Sequence, residues 1–99
     1  MSTLHVIARS PFGDNRLSSC LRLLGSADGL LLCGDAVYAL QPGSAPLASL
    51  QASSLQGRLF ALEEDLQARA ISVGNDTQVI DYPAFVALSL NYDKVNSWL

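Results

Sequence analysis

Two thiols, Cys20 and Cys33, are the residues best suited to covalent chemistry in this chain. A thiolate can attack a persulfide, accept its outer sulfur and pass it on, and its competence depends on how far the thiol pKa is lowered. Cys20 is the better nucleophile candidate. Arg16 stands one helical turn before it, and a cation there favours the thiolate. The competing role is a small buried hydrophobe, because Cys20 falls on an apolar stripe and beyond the first turn, where dipole activation fades. Cys33 lies in an apolar run and reads as core. The two thiols are thirteen positions apart, which is neither a CxxC redox pair nor a zinc spacing. Two thiols without a disulfide framework fit a reducing cytosol.

The other chemical groups are sparse. His5 is the one histidine, so Cys-His and Ser-His-Asp sites find little support, and a lone strand histidine reads as hydrogen-bonded structure. No His/Cys/acid cluster has ligand spacing, so no metal is expected. Gly25, Gly29 and Gly34 form neither GxGxxG nor a Walker loop, so no nucleotide cofactor is expected either. Asp35 and Asp81 each follow a predicted strand, where they either cap a helix or line a shared edge. Trp98 sits near the end of the sequence in an apolar tail. Aromatics are enriched in interface cores, so docking into this domain or onto a neighbour is expected.

The elements that position these residues alternate. Residues 3–8 read as a first strand, and 9–15 as a loop in which Asp14 or Asn15 can cap the next helix. Leu17, Cys20, Leu21 and Leu24 lie at i, i+3, i+4 and i+7, one stripe of a helix over 16–24 that Gly25 ends. Leu30 to Cys33 is a short apolar run flanked by glycines, the signature of a strand buried on both faces. Ligands gather at the carboxyl ends of such strands, so Gly34-Asp35 is the first place to look for function. Residues 36–40 suit a short helix, 41–46 a loop, and 47–57 are ambiguous between helix and loop. Residues 58–62 read as a strand, 63–69 as a helix opened by three acids, 77–80 as a strand, and 83–91 as a last helix with Pro83 in its first turn. The alternation predicts one α/β domain over residues 1–99: a small three-layer sandwich around a mostly parallel sheet of four to five strands.

Composition narrows the function. Of 99 residues, 49% are hydrophobic and 15% charged, against a usual charged share of about a quarter. Apolar surface on that scale is hard to hide in one small core, which hints at an oligomer or a permanent partner. The net charge is −3 and the six basic residues are scattered, which argues against direct nucleic-acid binding. The first residues lack a signal-peptide pattern, and no apolar run approaches a membrane span.

Five segments, in order, resemble the TusB/DsrH family. These are Leu4-His5 with Arg9-Ser10-Pro11-Phe12, Asp35-Ala36-Val37-Tyr38-Ala39, residues 61–69, Ile80-Asp81-Tyr82 with Phe85-Val86, and Ser97-Trp98-Leu99. The resemblance implies a DsrEFH-like fold and a cytoplasmic subunit in a heterohexamer with C-type and D-type partners. That complex relays persulfide sulfur, received from sulfur-carrier proteins, toward the wobble uridine of tRNA. It implies a mainly structural role for a B-type subunit and an assembly surface around Asp35 and Tyr38. It also implies an alternative, a DsrH-like role in sulfur oxidation, in which Cys20 in the first helix carries the sulfur. Ala36 stands where the family pattern has Gly. If that Gly serves a positive φ, this chain turns differently.

Overall fold

The computed structural model describes every residue except Met1, Asp14, Ser54 and Leu99. Its centre is a five-stranded sheet of β1 (Thr3–Ile7), β2 (Gly29–Leu32), β3 (Leu59–Leu62), β4 (Gln78–Ile80) and β5 (Lys94–Trp98). The strand order is β4-β3-β2-β1-β5, and all four pairings are parallel.

The leucine run explains the middle of the sheet. Leu30, Leu31 and Leu32 are fully buried, as a central strand covered on both faces requires. Successive side chains point to opposite faces. Leu30 and Leu32 join Ile7, Leu59 and Ala61 in one core, while Leu31 joins Leu4 and Phe60 in the other. Each fully buried leucine contributes about 2 kcal/mol of hydrophobic stabilisation. At Gly29, where β2 begins, the backbone lies against Tyr92: a Cβ would run into the Tyr92 hydroxyl and press on Leu4.

The first core is covered by α1 (Arg16–Leu23), a 3₁₀ helix (Gly34–Leu40), α2 (Ala45–Ala52) and α3 (Glu63–Ala68). The second is covered by α4 (Tyr82–Ser89), through Phe85 and Leu88, with Tyr92 beyond it. The winding accounts for this asymmetry. The chain steps from β1 to β4 in one direction, then returns across the sheet to place β5 beside β1. Right-handed crossovers put the helices of the outward steps on one face and the returning helix on the other.

Three segments differ from the sequence reading. β5 forms in the tail although Lys94, Val95, Asn96 and Ser97 are all exposed. Its strand character comes from the ladder to β1, which pairs Thr3 with Lys94 through Ile7 with Trp98. α2 starts inside the expected loop, because Pro46 sits in its first turn, where a missing N–H costs nothing, and Ser44 accepts from Leu47 N at 3.2 Å. Asn15 occupies the N-cap of α1 without a side-chain capping bond, and Asp14 lies outside the described residues.

Candidate functional site

The carboxyl ends of β2 and β3 carry a connected polar cluster. Gly34 turns the chain out of β2 with φ +53°, a left-handed conformation that favours glycine, and a Cβ there would come to 3.1 Å from the Ala8 carbonyl oxygen. Its N–H donates to Asp65 Oδ2 at 2.8 Å, tying the 3₁₀ helix to α3. Arg69, just past α3, donates to Asp35 Oδ1 from Nη2 at 2.8 Å and from Nε at 3.2 Å. Its Nη1 reaches the Asp65 carbonyl at 3.2 Å. The same guanidinium lies 5.7 Å from the centre of the Tyr38 ring, within cation–π range. Hydrogen bonds donated to Asp35 and the surrounding negative charge hold the Arg69 pKa above its ordinary value.

Asp35 and Tyr38 are therefore brought together, with Arg69 between them. Asp35 gives its carboxylate to Arg69, and the 3₁₀ helix has no side-chain cap. Asp81 does cap α4, accepting from Ala84 N at 2.9 Å. Ala36 lies buried inside the 3₁₀ helix, and the left-handed residue is Gly34, two positions earlier. The turn that a Gly at position 36 would permit is made at Gly34 instead.

Cys20 sits apart from this cluster. It is fully buried under α1, in the core with Leu17, Ile7 and Leu30. Burial, with the Asp28 charge adding to it, pushes its thiol up to about 12. The thiol is raised although Arg16 stands one turn earlier. Cys33 differs from the core residue expected of it. It lies just beyond β2 and is only half-buried, with Sγ 3.7 Å from the Ile7 carbonyl oxygen to which it donates. Burial and the neighbouring Asp65 raise its pKa as well. The strand is shorter than the apolar run because Cys33 is already the extended residue that starts the 3₁₀ helix.

Trp98 docks within the chain. Its indole Nε1 donates to His5 Nδ1 at 3.0 Å, and its ring packs against the first core. His5 Nε2 lies 3.3 Å from Asp28 Oδ2. Asp28 is a hub that sequence reasoning missed: it also accepts from Thr3 N at 2.9 Å and Gly25 N at 2.8 Å. Burial alone would raise the Asp28 pKa, but the Gly25 and Thr3 bonds and His5 lower it overall. Its one sequence signal is an acid immediately before a buried strand. Arg69 and Asp65 were legible only as part of an acid-to-basic helix.

A separate cleft of about 590 Å³ opens between α2 and the turn into β4, lined by Leu50, Leu55, Gln56, Asn75, Asp76 and Gln78 among others. Cys20, Asp35, Tyr38 and Trp98 do not line it. Among the described residues, no group of three or more His, Cys, Asp or Glu side chains is placed to hold a metal ion. No helix among them is long and apolar enough to cross a membrane.

These features define a class: an open, all-parallel α/β chain whose strand-end polar groups are engaged with one another. Its fold is similar to that of the YchN protein of E. coli, matched with a TM-score of 0.74 over 99% of this chain and 100% of that one, at 21% identity. The chain belongs to the DsrH-like family, whose family model, "DsrH like protein", matches residues 9–95. It is similar to Protein TusB of Escherichia coli K12, at 37% identity over 97 residues, 96% of this chain and 99% of the relative. Protein TusB of Erwinia tasmaniensis is 36% identical and that of Photorhabdus laumondii 33%, each over the same shares.

Proposed function

We propose that this chain is the B-type subunit of a cytoplasmic sulfur-relay complex for 2-thiolation of the tRNA wobble uridine. It is a single-domain chain that works by assembly with C-type and D-type subunits in a heterohexamer and does not itself contact RNA. The observation that carries this reading is the near-full-length similarity to Protein TusB, at 37% identity. Two structural features support an assembly role. Cys20 is enclosed in the core with its thiol pushed up to about 12, so it is protonated at neutral pH. The outward ridge of Tyr82 and Val86 on α4, continued by Leu90 at its C-cap at the same i+4 spacing, is exposed and apolar. No charged residue occurs between Asp81 and Asp93. A helix apolar on all sides is ordinarily covered on all sides. Asp35 and Tyr38 offer a second contact surface at the strand ends.

The test is co-purification of the tagged chain with its natural partners, followed by their identification by mass spectrometry. Recovery of C- and D-type subunits at equal stoichiometry supports the reading. A stable monomer that ignores co-expressed partner subunits overturns it.

A second reading, with which the match to the DsrH-like family model is equally compatible, is service in sulfur oxidation with Cys20 as the carrier. The step would be attack of the Cys20 thiolate on the outer sulfur of a donor persulfide, with the donor thiolate leaving. It requires Cys20 to become exposed and deprotonated. Mass analysis of the assembled complex after treatment with a persulfide donor decides it: one added sulfur atom on the Cys20 peptide supports the carrier role, and an unmodified peptide sinks it.

A further inference from the structure

We infer that His5 is a proton-operated latch for β5: neutral His5 holds the Trp98 indole, and protonation of His5 releases it. An indole N–H can only donate. Trp98 Nε1 lies 3.0 Å from His5 Nδ1, so Nδ1 is the acceptor and carries no proton. The ring proton of neutral His5 is therefore on Nε2, where it donates to Asp28 Oδ2 at 3.3 Å. Both ring nitrogens are satisfied in one tautomer and one charge state. A second proton can go only to Nδ1, and there it turns the acceptor into a donor facing the indole N–H. The Trp98 bond is then lost, while the ion pair with Asp28 is strengthened.

Beyond the backbone ladder to β1, Trp98 is the side chain that ties β5 down, through His5 and the first core. Lys94, Val95, Asn96 and Ser97 are exposed, and Trp98 is the half-buried one. The strand lies at the sheet edge and pairs on one side only, with β1. The groups around His5 set the balance. Asp28, from the turn before β2, favours the imidazolium. Arg58 donates to the Asp28 backbone carbonyl at 2.6 Å, and Cys20 of α1 and Tyr92 both sense the Asp28 charge. On β5 itself, Asn96 lies opposite His5 and Lys94 opposite Thr3. Trp98 opposes Asp28 by demanding the neutral ring. This inference does not depend on the proposed relay function.

The chain has one histidine and one tryptophan, so each is a clean reporter. The full chain carrying 5-fluorotryptophan, within its unlabelled partner complex if that is how it purifies, would be followed by fluorine NMR from about pH 8 to pH 5, the range over which histidine ordinarily titrates. A parallel sample with ring-labelled histidine follows His5. The Trp98 resonance is expected to move in one step that coincides with the His5 titration, and the Ser97 and Trp98 amides to exchange several-fold faster below it. His5→Gln keeps a neutral acceptor and should hold the resonance at its high-pH position throughout. Asp28→Asn should move the step to lower pH. A flat Trp98 signal over the whole range overturns the latch, as does a step that persists in His5→Gln. If His5→Gln fails to fold, coincidence of the two wild-type titrations decides the matter.

Discussion

Ala70 is the non-glycine residue with positive φ among those described, at +53°. It follows Arg69 at the end of α3, and the Ile71 N–H returns to the Leu66 carbonyl at 3.0 Å, as in a Schellman-type stop. Holding an L-residue there costs about 1 kcal/mol or more. Ala70→Gly is expected to stabilise the chain by about 1 kcal/mol, seen as a higher urea midpoint with an unchanged m-value. Cys20 sets a second residue-scale expectation. Its folded pKa is raised from 9.0 to about 12. Above pH 9 the unfolded chain gives up this proton while the folded chain keeps it, so stability falls as pH rises. The slope from this one group approaches about 1.4 kcal/mol per pH unit between the two values. Cys20→Ala should flatten part of the alkaline decline, leaving what Cys33 and Tyr92 contribute. Urea midpoints from pH 8 upward measure it, and an unaltered decline in the variant would refute the assignment.

α4 is the helix least secured by burial. None of its residues is fully buried, and Phe85 and Leu88 tie it to the sheet. Its start depends on Asp81, whose carboxylate accepts from Ala84 N, with Pro83 in the first turn. Asp81→Ala is expected to cost about 1 kcal/mol, with faster amide exchange confined to the first turn of α4. Asp81→Asn should recover most of it, because an amide oxygen also accepts. The 3₁₀ helix is held differently. Asp65 takes the Gly34 N–H while Arg69 spans Asp65 and Asp35. These bonds join the exits of β2 and β3 into one unit, which makes Asp35 and Tyr38 a fixed surface.

At the scale of the whole molecule the two faces of the sheet are unequal. Four helical segments cover one face and α4 alone covers the other. Tyr82 and Val86 on α4, Leu90 at its C-cap and Val95 on β5 remain exposed beside the thinner face. Phe12, Leu23 and Val79 are exposed elsewhere, but these four form the largest share of the exposed bulky apolar side chains among the described residues. Val86→Lys and Leu90→Lys place charge on the outer ridge, near the helix C-terminus, where a cation is compatible with the dipole. Because both positions are exposed, the isolated chain's stability should change by no more than about 0.5 kcal/mol. Capture of partner subunits should fall sharply. Undiminished capture would place the assembly surface elsewhere, with the Asp35–Tyr38 end the next to test.

Local pattern determined most of the elements. The leucine run, the α1 stripe, the acids in the first turn of α3 and Pro83 in the first turn of α4 each act over a few residues, and each produced its strand or helix where expected. The family was also legible, because its segments keep their order along the whole chain. What the sequence left open depends on residues far apart. β5 is exposed except at Trp98, and it is a strand only because β1 supplies its ladder. Pro46 reads as a breaker in the sequence and starts a helix in the fold. Asp28, His5 and Trp98 are distant in sequence and adjacent in the fold, so their shared proton arrangement has no local signature. The same holds for Cys20: spacing placed it on a stripe, but only the packed sheet beneath α1 decides that its thiol is enclosed and protonated. Periodicity and capping are short-range effects that a chain encodes directly. Burial and pKa are set by everything that comes to surround a group, and only the tertiary structure decides that.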